Sequence, residues 1–260
     1  CKMSGSKLNE ISNIKDRGSE NSIFTIAVPT TSGSGAESTK FATIWSEETK
    51  EKFSYENENL LPAVVYLMPE YTKSLNYELT LTTTLDALCH AVDSLLNKNS
   101  NQESIGLSKE AIKSTNGNFT LLLENLENRD YRAEALYASN LSGRAINISR
   151  TSLNHSISYP LTNYYGLPHG LACAFSVIST IEYFKTDIKK SDFSEFLFMA
   201  SDTIKELQLS KIYANYLKKL DVEIISSKTL KNSRSNNFLY ELDSKIIQEI
   251  LYDSKKYYLK

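Results

Sequence analysis

The sequence predicts an α/β segment followed by an all-helical one, α/β plus all-α. Three observations lead there. Phe24–Val28 and Ala63–Leu67 are short apolar, β-branched runs that read as buried strands. The first runs directly into a Gly- and Ser-rich turn, Thr30 to Gly35. From Thr80 onward apolar residues recur at helical spacing almost to the end of the chain. The change of pattern places a domain boundary near residue 75, dividing the chain into 1–75 and 76–260.

Each element has its own justification. Pro29 bounds the first strand, and Pro69 opens turn and linker material up to Leu75. Leu85, Leu88, Val92, Leu95 and Leu96 supply one face of the first long helix. Glu103–Ile112 and Tyr131–Ile146 are further amphipathic helices, with Asp130 the expected N-cap of the second. Pro160 and Pro168, with Gly166 and Gly170, are expected to divide 152–170 into a helix end, a loop and a new start. Leu171–Ile181 reads as one buried helix, and 185–260 as charged helices around an exposed loop from Ser226 to Asn237. No chemistry is evident in that last stretch.

Composition narrows the class. The 260 residues can bury one large core or two modest ones. With 29 basic and 31 acidic residues, a net charge of −2 offers no footprint for nucleic acid. The longest apolar run, Leu171–Ile178, is too short for a bilayer, and no secretory leader is visible. The chain has three cysteines without paired spacing, which fits a reducing, cytoplasmic setting.

Histidine is the informative residue. The chain has three, His90, His155 and His169. His90 follows Asp86 by four residues, which puts both on one helical face. Three imidazoles and a carboxylate suit a borderline divalent ion, iron(II) or zinc, with room left for a substrate. Any one of these residues alone reads more readily as part of an ordinary half-buried face; the joint pattern is what points to a metal.

The pattern Asp86-x-x-x-His90, then His155, then thirteen residues to His169 within Pro-His-Gly, resembles the iron-containing (group III) alcohol dehydrogenases. Pro29 to Glu37, PTTSGSGAE, is similar to that family's Pro-Thr-Thr-x-Gly-Thr-Gly-Ser-Glu segment. The resemblance runs from about Phe24 to Val177 and fades toward the Asn236-Asn237 region. Phe41–Trp45 (FATIW) and His155–Thr162 (HSISYPLT) point to the phosphonoacetaldehyde reductase, or hydroxyethylphosphonate dehydrogenase, branch.

The resemblance implies a dehydroquinate synthase-like fold. In it, a remnant of a Rossmann-like nucleotide-binding domain precedes a helical metal-binding domain, and the chain is N-terminally truncated, opening just past a cofactor turn. It implies metal ligation by Asp86, His90, His155 and His169, with Fe2+ or Zn2+ as the ion. It implies NAD(P)H contact by Thr30, Thr31, Ser34 and Lys52. Ser34 stands where Thr is usual and Ala36 where Ser is usual; the second change removes a hydroxyl. Tyr159 stands where many members carry a histidine near the nicotinamide, and its ordinary pKa of about 10 makes it a donor rather than a base. The implied reaction is reduction of an aldehyde to an alcohol, phosphonoacetaldehyde to 2-hydroxyethylphosphonate in this branch. Arg150 and Arg144 are the nearest cations in sequence for the phosphonate. Homodimerisation through the nucleotide domain is common in the family. A general primary-alcohol dehydrogenase, a metal-dependent hydrolase and an inactive fragment that keeps the metal domain are the competing readings.

Overall fold

The computed structural model describes residues 24–45 and 52–259, with side chains described at 24–42 and 55–259. The opening CKMSGSKLNEIS stretch, expected to continue a helix after a cofactor turn, lies outside the described residues. β1 (Ile26–Ala27) pairs in parallel with β4 (Val64–Val65), Ile26 opposite Val64. Both expected strands are present, but each is only two residues long. They are also not buried as their composition suggests: Phe24 is 70% and Ile26 54% exposed. β-Branched residues favour the extended backbone by themselves, whereas burial needs a covering layer. Between them β2 (Phe41–Trp45) and β3 (Lys52–Glu56) form an antiparallel pair, Phe41 opposite Glu56 and Trp45 opposite Lys52.

The Gly/Ser turn is seated on the helices behind it. Gly35 has φ 58°, and a Cβ there would lie 2.5 Å from the Cα of Gly143; the reverse substitution would meet Gly35 O at 2.6 Å. Two glycines therefore allow backbone to touch backbone. Asn140 Nδ2 donates to Glu37 Oε1 and Ser38 Oγ, and Lys40 N donates to Asn147 Oδ1. These bonds hold the turn to the helix that carries Gly143.

The helical part begins with α1 (Tyr77–Leu95), capped by Asn76, whose side chain accepts from Leu79 N. Leu85, Leu88, Val92, Leu95 and Leu96 are all buried, as their spacing predicts. α2 (Gln102–Thr115) opens with a reciprocal Asn101–Ser104 capping box. α3 (Asn118–Glu124) leads to α4 (Arg129–Ser149). The cap of α4 is Asn128 rather than the expected Asp130: Asn128 Oδ1 accepts from Asp130 N and Tyr131 N. Asp130 lies inside the first turn, where its charge complements the helix dipole. α1, α2 and α4 pack against one another.

The expected helix end, loop and new start are present, at Tyr165, 166–168 and His169, but α5 (Leu153–Tyr165) continues through Pro160 rather than breaking there. Proline removes the donor that Ser156 O would otherwise receive, yet Pro160 is itself buried and the helix continues past it. The helix ends at Gly166, φ 64°. α6 (His169–Ala174) and α7 (Val177–Tyr183) replace the single helix expected over 171–181, buried over 170–174 and 177–181. α8 (Lys185–Ile188), α9 (Ser194–Glu206), α10 (Ser210–Tyr216), α11 (Val222–Leu230) and α12 (Ser244–Tyr258) complete the bundle. Ser226–Asn237 is not an exposed loop. Ser226 and Thr229 are buried on α11, and Ser233–Asn237 forms a 3-10 turn. The apolar faces share one core running from Leu81 to Tyr258. Among the described residues no helix is long and apolar enough to cross a membrane.

Candidate metal centre

Asp86 and His90 occupy successive turns of α1, His155 the first turn of α5, and His169 the first residue of α6. Their side chains meet around one oxygen. Asp86 Oδ1 lies 3.3 Å from His155 Nε2, 3.6 Å from His169 Nε2 and 3.7 Å from His90 Nε2. Ligands about 2.1 Å from a tetrahedral ion stand about 3.4 Å apart, so these separations fit the edges of a coordination shell. The donor set, three imidazole nitrogens and a carboxylate oxygen, suits iron(II) or zinc. His90 and His155 stack at 4.6 Å and 9°. His169 is 42% exposed at its side chain whereas His155 is 1%, so the cluster opens to solvent on the His169 side.

A buried carboxylate orients His155. Asp93, fully enclosed, accepts from Ser152 N, Asn154 N, Asn154 Nδ2 and His155 N. A carboxyl accepting this many N–H groups is ionised, so His155 Nδ1, 2.8 Å away, must be the donor. Burial acts to lower the His155 ring, but Cys173, Asp86 and Asp93 raise it well above its ordinary value, so without an ion Nε2 carries a proton toward Asp86 Oδ1. An ion would replace that proton and find the Nε2 lone pair directed at it. Burial pushes His90 down to about 4, so it is a neutral imidazole at pH 7. Burial works against ionisation of Asp86, but the three histidines around it hold its carboxyl below the usual range.

Cys173 was not among the sequence candidates. It lies one turn after His169 on α6, with Sγ 3.7 Å from His169 Nε2 and 3.9 Å from Asp86 Oδ1. Asp86, His155, His169 and Cys173 can place one ligand atom each within 4.8 Å of one another, a set without His90, whose Nε2 is the farthest of the three imidazoles from Asp86 Oδ1. Burial acts to raise the thiol, but His155 and His169 bring it down to about 7. The i, i+4 spacing from His169 was the available signal.

Residues 80–237 match the Fe-containing alcohol dehydrogenase family, C-terminal, and residues 2–69 match iron-containing alcohol dehydrogenase. The chain belongs to the iron-containing alcohol dehydrogenase family. It is 35% identical over 158 residues to phosphonoacetaldehyde reductase of Streptomyces viridochromogenes, covering 61% of this chain and 40% of that protein. It is 30% identical over 167 residues to NAD-dependent methanol dehydrogenase of Bacillus methanolicus, covering 61% and 44%. An iron-containing alcohol dehydrogenase of Thermotoga maritima superposes with a TM-score of 0.75 at 27% identity, over 94% of this chain and 67% of that one. The chain thus spans less than half the length of these two curated relatives.

The remaining residues suggested by resemblance to the iron-containing alcohol dehydrogenases fall as follows. Tyr159, one turn after His155 on α5, stacks on His169 with ring centroids 6.0 Å apart. Burial raises its phenol above its ordinary pKa, so it is neutral at pH 7. Thr30 and Ser34 are exposed and Thr31 half-buried in the turn after β1, with Ser34 Oγ accepting from Ala36 N. Lys52 sits opposite Trp45 in the hairpin. Arg150 does not join the cluster. Its guanidinium pairs with Glu56 and lies 5.4 Å from the Phe41 ring, both on the hairpin. Arg144 is exposed on α4.

Proposed function

We propose that this chain carries the metal centre of an NAD(P)-linked alcohol dehydrogenase working as an aldehyde reductase, with phosphonoacetaldehyde as its substrate. The observation that carries this reading is the single carboxylate oxygen ringed by three imidazole Nε2 atoms and open on one side. The similarity to phosphonoacetaldehyde reductase supports the choice of substrate. In the net reaction an aldehyde, NAD(P)H and a proton become an alcohol and NAD(P)+. An iron(II) or zinc ion at this site supplies Lewis acidity toward the carbonyl oxygen, and a nicotinamide supplies the hydride.

The chain's own residues do the rest. Asp86, His90, His155 and His169 hold the ion, and Asp93 fixes the His155 tautomer. Tyr159, a neutral phenol beside the open edge, donates a hydrogen bond to the substrate oxygen as negative charge grows there. Thr30, Thr31 and Ser34, in the turn seated on α1 and α4, offer hydroxyls to the nucleotide, and Lys52 a cation. The segment up to residue 75 is the nucleotide side and 76–260 the metal side. Free, buried Cys89 and Cys173 accord with a cytoplasmic enzyme.

The test is metal analysis with a coupled assay. Protein grown with iron or zinc should hold about one equivalent and consume NADH or NADPH with phosphonoacetaldehyde, and His155→Ala should lose both. Folded protein that takes up neither metal would overturn the reading.

A further inference from the structure

Arg234 stands in the 3-10 turn Ser233–Asn237, far in sequence from every ligand. The fold brings it back to the open edge of the cluster. Its Nη1 donates to Thr151 Oγ1 at 2.7 Å, and its guanidinium carbon lies 5.5 Å from the centre of the Tyr159 ring. Tyr159 in turn stacks on His169, the exposed member of the cluster. The turn is fixed from both sides: Asn237 Nδ2 donates to Thr151 O, and Lys98 N donates to Asn237 O. Arg234 is therefore a positioned cation, half-buried, and one aromatic ring away from a candidate ligand.

Half-burial without an ion pair sets it apart: Arg144 also lacks one among the described residues, but it is exposed. Arg129 pairs with Glu70 and Arg150 with Glu56, while Arg132 gives three side-chain donors to protein acceptors. Arg234 has no carboxylate within ion-pair distance among the described residues, and Thr151 takes only one nitrogen. Its Nε and Nη2 edge remains for a planar two-oxygen acceptor. Half-burying a cation without a counter-charge is costly unless a ligand supplies one. Neither Asp86 nor Asp93 lies within ion-pair distance of it; their ion pairs run to the three histidines.

We infer that Arg234 recognises an anionic group on the substrate, so that the centre selects short aldehydes bearing a phosphonate, sulfonate or carboxylate. This rests on the aldehyde-reductase reading above, and replaces Arg150 and Arg144 as the phosphonate contact. Arg234 touches the far end of the substrate rather than the reacting carbon. Tyr159 lies between the two ends.

The experiment is calorimetric titration of the full 260-residue chain with 2-hydroxyethylphosphonate and, as the uncharged comparison, 1,3-propanediol. Arg234→Gln should weaken phosphonate binding roughly 10- to 100-fold relative to the diol, and Arg234→Lys should fall between. The inference is overturned if wild-type protein binds no phosphonate, if Arg234→Gln binds it as wild type does, or if both ligands weaken equally. Should Arg234→Gln melt early, Thr151→Val, which only unhooks the guanidinium, is expected to weaken phosphonate binding in the same sense. Turnover separates this inference from the reductase reading. In Arg234→Gln the ratio of kcat/KM for phosphonoacetaldehyde over butanal should fall by the same factor. Reduction of both aldehydes with an unaltered ratio retires Arg234 alone. Arg234-dependent phosphonate binding without any aldehyde reduction retires the reductase reading alone.

Discussion

At the scale of single residues, the centre depends on a group that never touches the ion. Asp93 is 0% exposed and accepts five N–H groups, two of them from the His155 backbone and ring. Asp93→Asn keeps the shape but offers an NH2 group where acceptors are needed, and it frees His155 to rotate or change tautomer. Metal affinity should fall roughly 10- to 100-fold, read by competition with a coloured chelator. An unaltered affinity would mean that packing against His90, not Asp93, orients His155. Asp93 could be suspected from sequence because it sits one turn beyond His90. Its partners in the Ser152–His155 segment could not, because they lie 59 to 62 residues away.

At the scale of elements, two close approaches set the geometry. α6 crosses α1 at Gly170, where a Cβ would fall 1.8 Å from Thr82 O. That residue lies next to His169, and Thr82 is one turn before Asp86. Gly170→Ala must push the helices apart, and with them two of the ligands. We expect a loss of at least about 2 kcal/mol in urea melts together with reduced metal content. Gly106, exposed within α2 and with nothing within 4 Å of its Cβ position, is the control: Gly106→Ala should stabilise by about 0.5–1 kcal/mol. Equal effects at both glycines would show that helix propensity, not contact, governs the first. The second approach is Arg132, 1% exposed, which reaches from α4 to Leu126 O, Thr80 Oγ1 and Leu75 O. It locks the start of α1 to α4. Arg132→Met strands those acceptors and should cost roughly 3 kcal/mol or more in the same melts; a loss below about 1 kcal/mol would mean that water replaces it.

At the scale of the whole molecule, what was legible followed from rarity and period. With only three histidines, the chain exposes its metal pattern, and α1 is visible because Leu85, Leu88 and Val92 keep helical spacing. Cys173 escaped because a cysteine on an apolar helix looks like core. Arg234 escaped because its contact with Thr151 spans 83 residues. Pro160 misled because local propensity says nothing of the packing that buries α5 on both sides of it. The same long-range assembly makes the ion a structural link as well as a chemical one. Its four candidate ligands come from α1, α5 and α6, elements that unfolding would separate. Binding to the folded chain alone adds about 4 kcal/mol when free metal exceeds Kd by about 1,000-fold. At about 2–4 °C per kcal/mol for a chain near this size, that is roughly 10 °C in Tm. Treatment with a chelator should therefore lower the melting temperature by about that much, and zinc or iron(II) should restore it. His155→Ala should show no such response. A melting temperature indifferent to chelator, in protein shown to have carried metal, would mean that the ion also stays bound to the unfolded chain or that the three helices hold their places without it.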